Sequence, residues 1–269
     1  MNKFTSALLA VTAFSATVAM AGESAPASAT GFYVGANAGA ANSNAKYNFV
    51  AQNVTGSSSI IASDRAVNFK ADAGKLSALF GLFAGYGMQI NKAYVGAEVY
   101  GGFDTANFSV YDDSGTAKSS GYWKSSVSRK NFFGFAPRAG FFVTPSTMAY
   151  IRLGVEFGKW EAKVDPNFAT IDFSGTSYFG SGAAANASKS RKQFKNSKNA
   201  VSFAPGLGVE VFMTKNLFMR AEYSYLFGPS INVTQDTSGY DNSLCPGSSY
   251  AHSFKISQHA MKIGVGYKF

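Results

Sequence analysis

The sequence predicts an all-β fold, an antiparallel up-and-down β-barrel of eight strands, and three observations support this prediction. Eight segments alternate apolar and polar residues with a period of two, as strands with two different faces do. Tight turns and long connections alternate between these segments. Aromatic residues make up 15% of the chain, and charged residues only 14%, against about 25% in soluble domains. A chain of this length can form such a barrel as one domain.

The alternation places the strands in chain order at 31–40, 76–88, 92–103, 131–143, 147–158, 200–212, 216–227 and 257–269. Tight turns are predicted at 89–91, 144–146 and 214–215. The other connections are long and cover 41–75, 104–130, 159–199 and 228–256. Short turns at one rim and long loops at the other are typical of barrels that cross a membrane.

The polarity of the two faces decides which of them points outward. One face is apolar in every predicted strand, for example at Phe80, Phe133 and Leu153, whereas the other carries glycine and nearly all charges. A soluble lipocalin has its apolar face inward and needs a polar outer face, and here that face is mostly glycine. Aromatic residues collect near both strand ends, as at the two interfaces of a bilayer. We therefore predict a transmembrane β-barrel with long extracellular loops.

Some features of the predicted strands are less regular. Pro137 and Pro205 lie inside strands, which indicates β-bulges or, alternatively, misplaced strand boundaries. Within the first two long connections, 45–54 alternates with 66–71 and 106–111 with 122–127. These stretches predict strands that continue beyond the membrane into a protruding sheet.

The amino-terminal residues predict secretion. Lys3 precedes an apolar run at 7–18 and a small-x-small site at Ala19-Met20-Ala21. This pattern indicates a signal peptide at 1–21 and a mature barrel domain at 22–269. The apolar run is too short for a transmembrane helix. The single cysteine, Cys245, cannot form an internal disulfide, and we expect an inert loop residue, with a reactive or intermolecular thiol as the alternative.

The carboxyl-terminal strand resembles the assembly signal of bacterial outer-membrane barrels, with Lys262, Gly264, Tyr267 and Phe269 at the signal positions. Together with Gly31-Phe-Tyr-Val-Gly35 and Arg220-Ala-Glu-Tyr-Ser-Tyr225, it resembles the OmpA-like and opacity-type small outer-membrane barrels over residues 31–269. The resemblance implies a cell-surface protein in the outer membrane of a Gram-negative bacterium. It also implies contact with outer-membrane lipid and lipopolysaccharide, and insertion by the barrel assembly machinery.

The predicted inner face carries a nearly balanced set of charges. Its acids and bases are Glu98, Glu156, Glu210, Glu222, Arg138, Arg152, Arg220, Lys262 and Lys268. The interior of an eight-stranded barrel is just wide enough for its side chains, and unpaired buried charges are costly. We therefore expect these charges to pair across the lumen and plug it. A gated ion path through the same residues is the alternative.

The third long connection contains a basic run without an acid, namely Lys189, Arg191, Lys192, Lys195 and Lys198. Such a run suits anionic partners, including lipopolysaccharide phosphates and host glycans. The alternative is a solvated loop that lies on the phosphates of its own membrane. Phe194 alone is weak support for base stacking, so we expect no nucleic-acid partner.

Candidate catalytic residues are few. Ser257 and His259 are neighbours on the lipid-facing side, but no carboxylate is placed to orient the histidine. Tyr250 and His252 in the fourth connection include one histidine, which is not a metal site. We therefore expect no enzymatic activity, no cofactor and no bound metal. The predicted function is that of a surface-exposed structural protein or adhesin acting through its loops, and a small ion or solute channel is the alternative.

Overall fold

The computed structural model describes residues 28–52, 67–111, 123–166, 194–236 and 249–269. Most of these residues lie in antiparallel strands: β1 (Gly31–Gln52), β2 (Val67–Ile90), β3 (Ala93–Asp104), β4 (Asn107–Tyr111), β5 (Trp123–Thr144), β6 (Thr147–Pro166), β7 (Phe194–Phe212), β8 (Leu217–Asp236) and β9 (Ser249–Lys268). Within the described part of the chain, no helix is long and apolar enough to cross a membrane. The predicted signal peptide and Cys245 lie outside the described residues.

The strands close into a ring. The sheet order is β3-β2-β1-β9-β8-β7-β6-β5-β4, and β3 also pairs with β5. β4 continues the line of β3 after a break at Thr105 and Ala106, and both strands pair with β5. β3 and β4 thus share one strand position of the barrel, which we call a stave. With eight staves, the predicted eight-stranded antiparallel barrel is confirmed.

The short turns lie together at one rim, as the sequence predicts. They are formed by Asn91 and Lys92, by Pro145 and Ser146, and by residues 213–216. Asn91 has a φ of 57°, a left-handed conformation that asparagine adopts more readily than most residues. The last strand ends at the same rim, where the Phe269 amide donates to the Phe32 carbonyl oxygen over 2.9 Å.

The strands are longer than predicted at the opposite rim. The pairing of β1 with β2 reaches Ala51 and Val67, and that of β4 with β5 reaches Tyr111 and Lys124. These two extensions confirm the strands predicted inside the first two long connections. β6 pairs with β7, and β8 with β9, well into 159–199 and 228–256, where the sequence analysis predicted loops, and that prediction is wrong.

The loop prediction failed because the polarity of the faces inverts along the strands. In β6, Ile151 and Phe157 point outward, whereas Trp160 and Ala162 on the opposite face are buried. In β9, Ile263 is exposed but Phe254 is buried. The apolar face is therefore outside the barrel in lipid and inside it above the membrane. We call the part above the membrane the extracellular projection.

The bulges predicted at Pro137 and Pro205 are absent, and this prediction is wrong. Pro137 stays in register with Ala97, and Pro205 with Leu153. On its other side each proline drops out of the ladder without a change of register, since it has no N–H to donate. Register shifts occur instead between Arg129 and Phe132, between Phe142 and Thr144, and between Phe227 and Ser230.

The outer face carries two aromatic belts. Near the short turns, Phe32 contacts Tyr86 with ring centroids 4.8 Å apart. Toward the projection, stacked pairs form the second belt: Phe80 with Phe103, Phe133 with Phe157, and Phe203 with Phe227. Between the belts the exposed face is apolar, which suits the hydrocarbon of a bilayer.

Aromatic rings fill the interior near the short turns because glycines make room for them. Phe212 lies 5.7 Å from Phe218 and 6.1 Å from Phe142, centroid to centroid. A Cβ atom on Gly266 would lie 2.2 Å from Cζ of Phe218. The glycines of the inner face are thus needed for the packing of a narrow barrel.

Candidate functional site

The charged residues predicted for the lumen meet around Glu98 in β3. Nη1 of Arg220 lies 2.6 Å from Oε2 of Glu98, and Nη1 of Arg138 lies 3.4 Å from the same oxygen. Nη1 of Arg152 is 3.9 Å from Oε1 of Glu98. These side chains are at most 2% exposed. One buried carboxylate therefore contacts guanidinium groups from three other strands.

Two further acids extend this group of charges. Glu210 forms an ion pair with Arg138. Glu222 Oε1 lies 2.8 Å from Nη1 of Arg152 and 2.6 Å from Nζ of Lys262. We call the connected group of Glu98, Glu210, Glu222, Arg138, Arg152, Arg220 and Lys262 the lumen network. It joins seven of the nine charged residues predicted for the lumen and contains three acids and four bases.

Aromatic groups enclose the lumen network. The guanidinium of Arg138 lies 4.0 Å from the Tyr150 ring centroid, and that of Arg152 lies 4.0 Å from the Tyr100 centroid. Arg138 also donates to the hydroxyl of Tyr33 over 3.0 Å. Such cation–π contacts strengthen when water is excluded. The charges are thus held by rings as well as by one another.

Two predicted residues lie outside the network. Lys268 donates to the Ser28 carbonyl oxygen, and Glu156 belongs to a separate cluster closer to the projection. It forms an ion pair with Arg129, whose Nη1 donates to Gln258 over 2.9 Å. Gln258 donates to Asp104 over 2.5 Å, and Ser77 donates to Asp104 over 2.8 Å. Sequence reasoning missed Arg129 and Asp104 because both lay just outside the predicted strands. Continuing the inward alternation Glu98, Tyr100, Gly102 by one step would have found Asp104.

The interior of the extracellular projection is apolar and contains one histidine. Trp160, Ile231, Val233, Phe254 and Ile256 pack there. His252 Nδ1 lies 2.7 Å from the hydroxyl of Tyr47. Burial lowers the pKa of His252 to about 4, so the ring is neutral at pH 7. The sequence placed His252 and Tyr250 in a loop, but His252 and the backbone of Tyr250 both lie in β9.

No metal-binding cluster is found in the described ranges. They contain no group of three His, Cys, Asp or Glu residues able to hold a metal ion. Nδ1 of His259 lies 2.7 Å from the Tyr223 hydroxyl, and its ring packs against Tyr225 with centroids 4.7 Å apart. This arrangement on the outer face near Ser257 resembles the polar-tipped aromatic residues of a membrane interface.

The basic run predicted as a ligand-binding loop is divided by the structure. Lys189, Arg191 and Lys192 lie outside the described residues, whereas Lys195 and Lys198 lie in β7 and not in a loop. Nζ of Lys195 is 3.1 Å from Glu161 Oε2, and Nζ of Lys198 donates to the Ser230 carbonyl oxygen over 3.2 Å. The basic run contains no acid in the sequence, but the pairing of β7 with β6 brings Glu161 to Lys195.

Lysines from many strands surround the extracellular projection. We call the set of Lys46, Lys70, Lys130, Lys159, Lys163, Lys195 and Lys255, which lie on the outer face, the basic collar. Among side chains described on that outer surface, the acids are Asp72 and Glu161. Hydrogen bonds from Lys195 and Lys163 hold the pKa of Glu161 below its ordinary value. Sequence reasoning missed the collar because its members are scattered along the chain, although Lys46 and Lys255 are direct cross-strand neighbours.

The chain is similar to several known outer-membrane proteins. OprG from Pseudomonas aeruginosa is 13% identical, with 91% of this chain and 98% of that chain covered and a TM-score of 0.48. Neisserial surface protein A is 16% identical, with 89% and 98% covered and a TM-score of 0.37. Ail of Yersinia pestis, also solved with the heparin analogue sucrose octasulfate, is 13% identical, with 89% and 99% covered and a TM-score of 0.33.

No curated protein sequence matches the chain. The family model of the outer membrane protein beta-barrel domain matches residues 6–269. The closed ring of antiparallel strands and the apolar outer face agree with that match. This chain therefore belongs to the outer-membrane β-barrel domain family and resides in the bacterial outer membrane.

Proposed function

We propose that the protein is a non-catalytic surface protein whose barrel is plugged and whose extracellular projection binds anionic ligands, as an adhesin or structural protein does. The observation that carries the plug is the lumen network, in which each acid contacts at least one base and the paired side chains are buried. A passing ion would have to separate pairs that are costly to break. Apolar layers on both sides of the network add a further barrier.

Single-channel recording of the refolded mature protein in planar bilayers tests the plug. Because the lumen network leaves its charges paired and enclosed by rings, we expect a silent membrane. Discrete openings that change in Glu98→Gln or Arg138→Gln protein would contradict the plug and support the alternative function, a small ion or solute channel. A gel shift on heating verifies beforehand that the barrel has folded.

The binding role of the projection is supported by the basic collar. Its exposed lysines outnumber the acids on the same surface, and an excess of positive charge attracts sulfated or phosphorylated polymers. Lys46 lies opposite Lys255 on the outer face, and Lys70 lies nearby on β2 opposite Asn48. Asp72 lies opposite Lys46 on β2, so these three lysines have one acid beside them, whereas Lys163 and Lys195 share Glu161.

Binding of a sulfated polysaccharide to the refolded protein tests this role. Replacing Lys46, Lys70 and Lys255 with Gln should weaken binding by about 1–3 kcal/mol in total, at up to 1 kcal/mol for each exposed charge. The loss should shrink as salt is raised, because exposed charges are screened. The unsulfated polymer is the control, and equal binding of the two polymers would reject a role for the collar.

A further inference from the structure

The wall of the extracellular projection is interrupted between β2 and β4. The pairing of β2 with β3 ends where Leu79 lies opposite Asp104. Beyond this point β4 pairs with β5, and among the described residues no ladder joins β4 to the first part of β2. Two sheet edges therefore face each other across the wall of the projection. We call this interruption the seam.

The edge of β2 presents its backbone groups to the seam. Thr105 donates its amide to the Ala78 carbonyl oxygen over 3.0 Å, and the Ala78 amide donates to the Thr105 hydroxyl over 3.0 Å. Both backbone groups of Ala78 thus point away from β1. Peptide groups alternate in direction along a strand. Those of Leu76, Gly74 and Asp72 therefore point into the seam as well.

The edge of β4 presents its backbone groups from the other side. Arg129 of β5 donates its amide to the Ala106 carbonyl oxygen over 3.3 Å, so Ala106 points toward β5. By the same alternation, the backbone groups of Asn107, Ser109 and Tyr111 point away from β5. They point into the seam and toward β2.

The two edges are in register with each other. Continuing the register of β2 with β3 beyond its last pair would bring three pairs of residues together: Leu76 with Asn107, Gly74 with Ser109, and Asp72 with Tyr111. In such pairs of an antiparallel ladder, the two residues exchange both N–H···O bonds. The seam therefore leaves unformed a set of hydrogen bonds whose donors and acceptors already match in sequence position.

A lysine occupies the place of the first missing hydrogen bond. Nζ of Lys75 donates to the Asn107 carbonyl oxygen over 2.8 Å, and this oxygen is the acceptor that the Leu76 amide would need. Lys75 has the inward position of Ser77 and Leu79 in β2, yet it is exposed whereas these two residues are buried. An inward-pointing charge on a sheet edge opposes the pairing of that edge.

Pairing of the two edges would enclose Lys75 in the apolar interior of the projection. In the continued register it would stand opposite residue 108, in line with Ser43 on β1 and Val127 on β5, which are both 0% exposed. The inward acid below it, Asp104, already accepts hydrogen bonds on both carboxylate oxygens. A buried ammonium group without a free partner is costly. Lys75 therefore favours the open seam in two ways.

We propose that the extracellular projection has a second, closed state and that Lys75 controls its formation. In the open state Lys75 lies in water and bonds to the Asn107 carbonyl oxygen. In the closed state β2 and β4 pair in the register of β2 and β3, and the wall of the projection becomes continuous. This switch is independent of the plug and of ligand binding, because Lys75 belongs neither to the lumen network nor to the basic collar.

Disulfide formation across the seam tests the closed state. The full mature chain carries Cys245→Ser, Gly74→Cys and Ser109→Cys, is refolded in lipid vesicles and is oxidised with glutathione disulfide. In the closed register the two thiols lie directly opposite each other, at about 5.5 Å between Cα atoms, which a disulfide can span. Adding Lys75→Met should speed cross-linking about tenfold, the weight of one hydrogen bond from a charged group. Mass spectrometry identifies the cross-linked peptides.

Two controls separate the switch from simpler effects. Lys70→Met removes the same charge from an outward position on the same edge, opposite Asn48. It should leave the rate of cross-linking unchanged, because closure does not bury Lys70. Leu76→Cys with Ser109→Cys places the two thiols two residues out of register. This pair should not cross-link, with or without Lys75→Met.

Four outcomes would overturn the proposal. Slow cross-linking in the Lys75→Met chain would show that the closed state does not form. Fast cross-linking with Lys75 in place would show that this lysine does not hold the seam open. Equal acceleration by Lys70→Met would reduce the effect to net charge. Cross-linking of the out-of-register pair would indicate a mobile edge and not a defined second state.

Discussion

At the scale of single residues, Glu98 has the largest role in the barrel interior. It contacts three arginines, and two of these also contact Glu210 or Glu222. A buried ion pair is weak support for stability in itself, because desolvation offsets much of the attraction. Removing one partner is different, since the remaining charges stay buried without compensation. The lumen network should therefore tolerate little change at its centre.

Glu98→Gln should lower the free energy of unfolding by about 3–5 kcal/mol, because it leaves buried arginines short of a counter-charge. Urea unfolding of the refolded barrel in detergent measures the change. Glu161→Gln is the matched control, since Glu161 also contacts two basic groups, but these are the exposed side chains of Lys163 and Lys195 on the outer face, where an ion pair contributes about 0–1 kcal/mol. Similar losses in the two variants would show that burial of the basic partners does not decide the cost.

At the scale of strands, the apolar residues change from the outer to the inner face, and this change explains how the strands continue beyond the membrane. In β5 and β8 a bulge between membrane part and projection shifts the alternation by one residue. Phe227 before the bulge in β8 is therefore exposed, whereas Ile231 after it is buried, although both are odd-numbered. In β6 and β9 the strand runs on without a shift, and the sequence itself exchanges its apolar face. Both devices give the projection a dry core.

The buried His252 makes the stability of the projection depend on pH. Its pKa is about 4 when folded, below its ordinary value of 6.5, so the unfolded segment binds more protons between these values. The stabilisation is complete above pH 6.5 and is lost as the pH falls toward 4. At pH 5 it should be reduced by about 2 kcal/mol.

Hydrogen exchange of the amides in 251–256 at pH 7 and pH 5 measures this change as an opening free energy. Most carboxylates remain ionised at pH 5, which limits their contribution. In His252→Gln the difference between the two pH values should largely disappear. A difference of the same size in that variant would assign the pH dependence to another group.

At the scale of the whole molecule, the protein is matched to two solvents. Its lower part presents apolar side chains to lipid and holds charges inside, while the projection presents lysines to water and holds Trp160 and Phe254 inside. The boundary between these parts coincides with the upper aromatic belt and with the bulges of β5 and β8. The position of the protein in the membrane is therefore fixed by its own surface.

Assembly of the barrel is expected to depend on its last residue. Phe269 is 70% exposed and contacts Tyr267 with ring centroids 5.3 Å apart, so its side chain adds little to the interior. Deleting Phe269 should change unfolding of the purified barrel by less than about 1 kcal/mol, as for other surface changes. The folded fraction recovered from cells should nevertheless fall several-fold, as measured on unheated gels.

Replacing Phe32, another exposed aromatic at the same rim, with Ala provides the control. It should leave the folded fraction in cells nearly unchanged. An equal fall in both variants would indicate a general loss of interfacial anchoring and would remove the assembly role of the signal at Lys262, Gly264, Tyr267 and Phe269.

The fold could largely be predicted from the sequence, and the site only in part. The alternation of apolar and polar residues identified every stave, because a strand in lipid needs one apolar face. Counting every second residue along the inner face identified Glu98, Arg138 and Glu222 as lumen residues. The same rule did not predict the strands beyond Phe157 and Phe227, because the apolar residues change to the other face there. The second cluster around Arg129 was lost with them.

The sequence by itself determined the compartment, the number of staves and the sign of each face, because these depend on local alternation and on the solvent that each face meets. The tertiary structure alone decided which charges pair, because pairing depends on register and on the curvature of a closed sheet. It also decided that Lys195 meets Glu161 and that Lys46 lies beside Lys255. Residues far apart in the chain become neighbours only when the ring closes, and the surface that meets ligands is made from such neighbours.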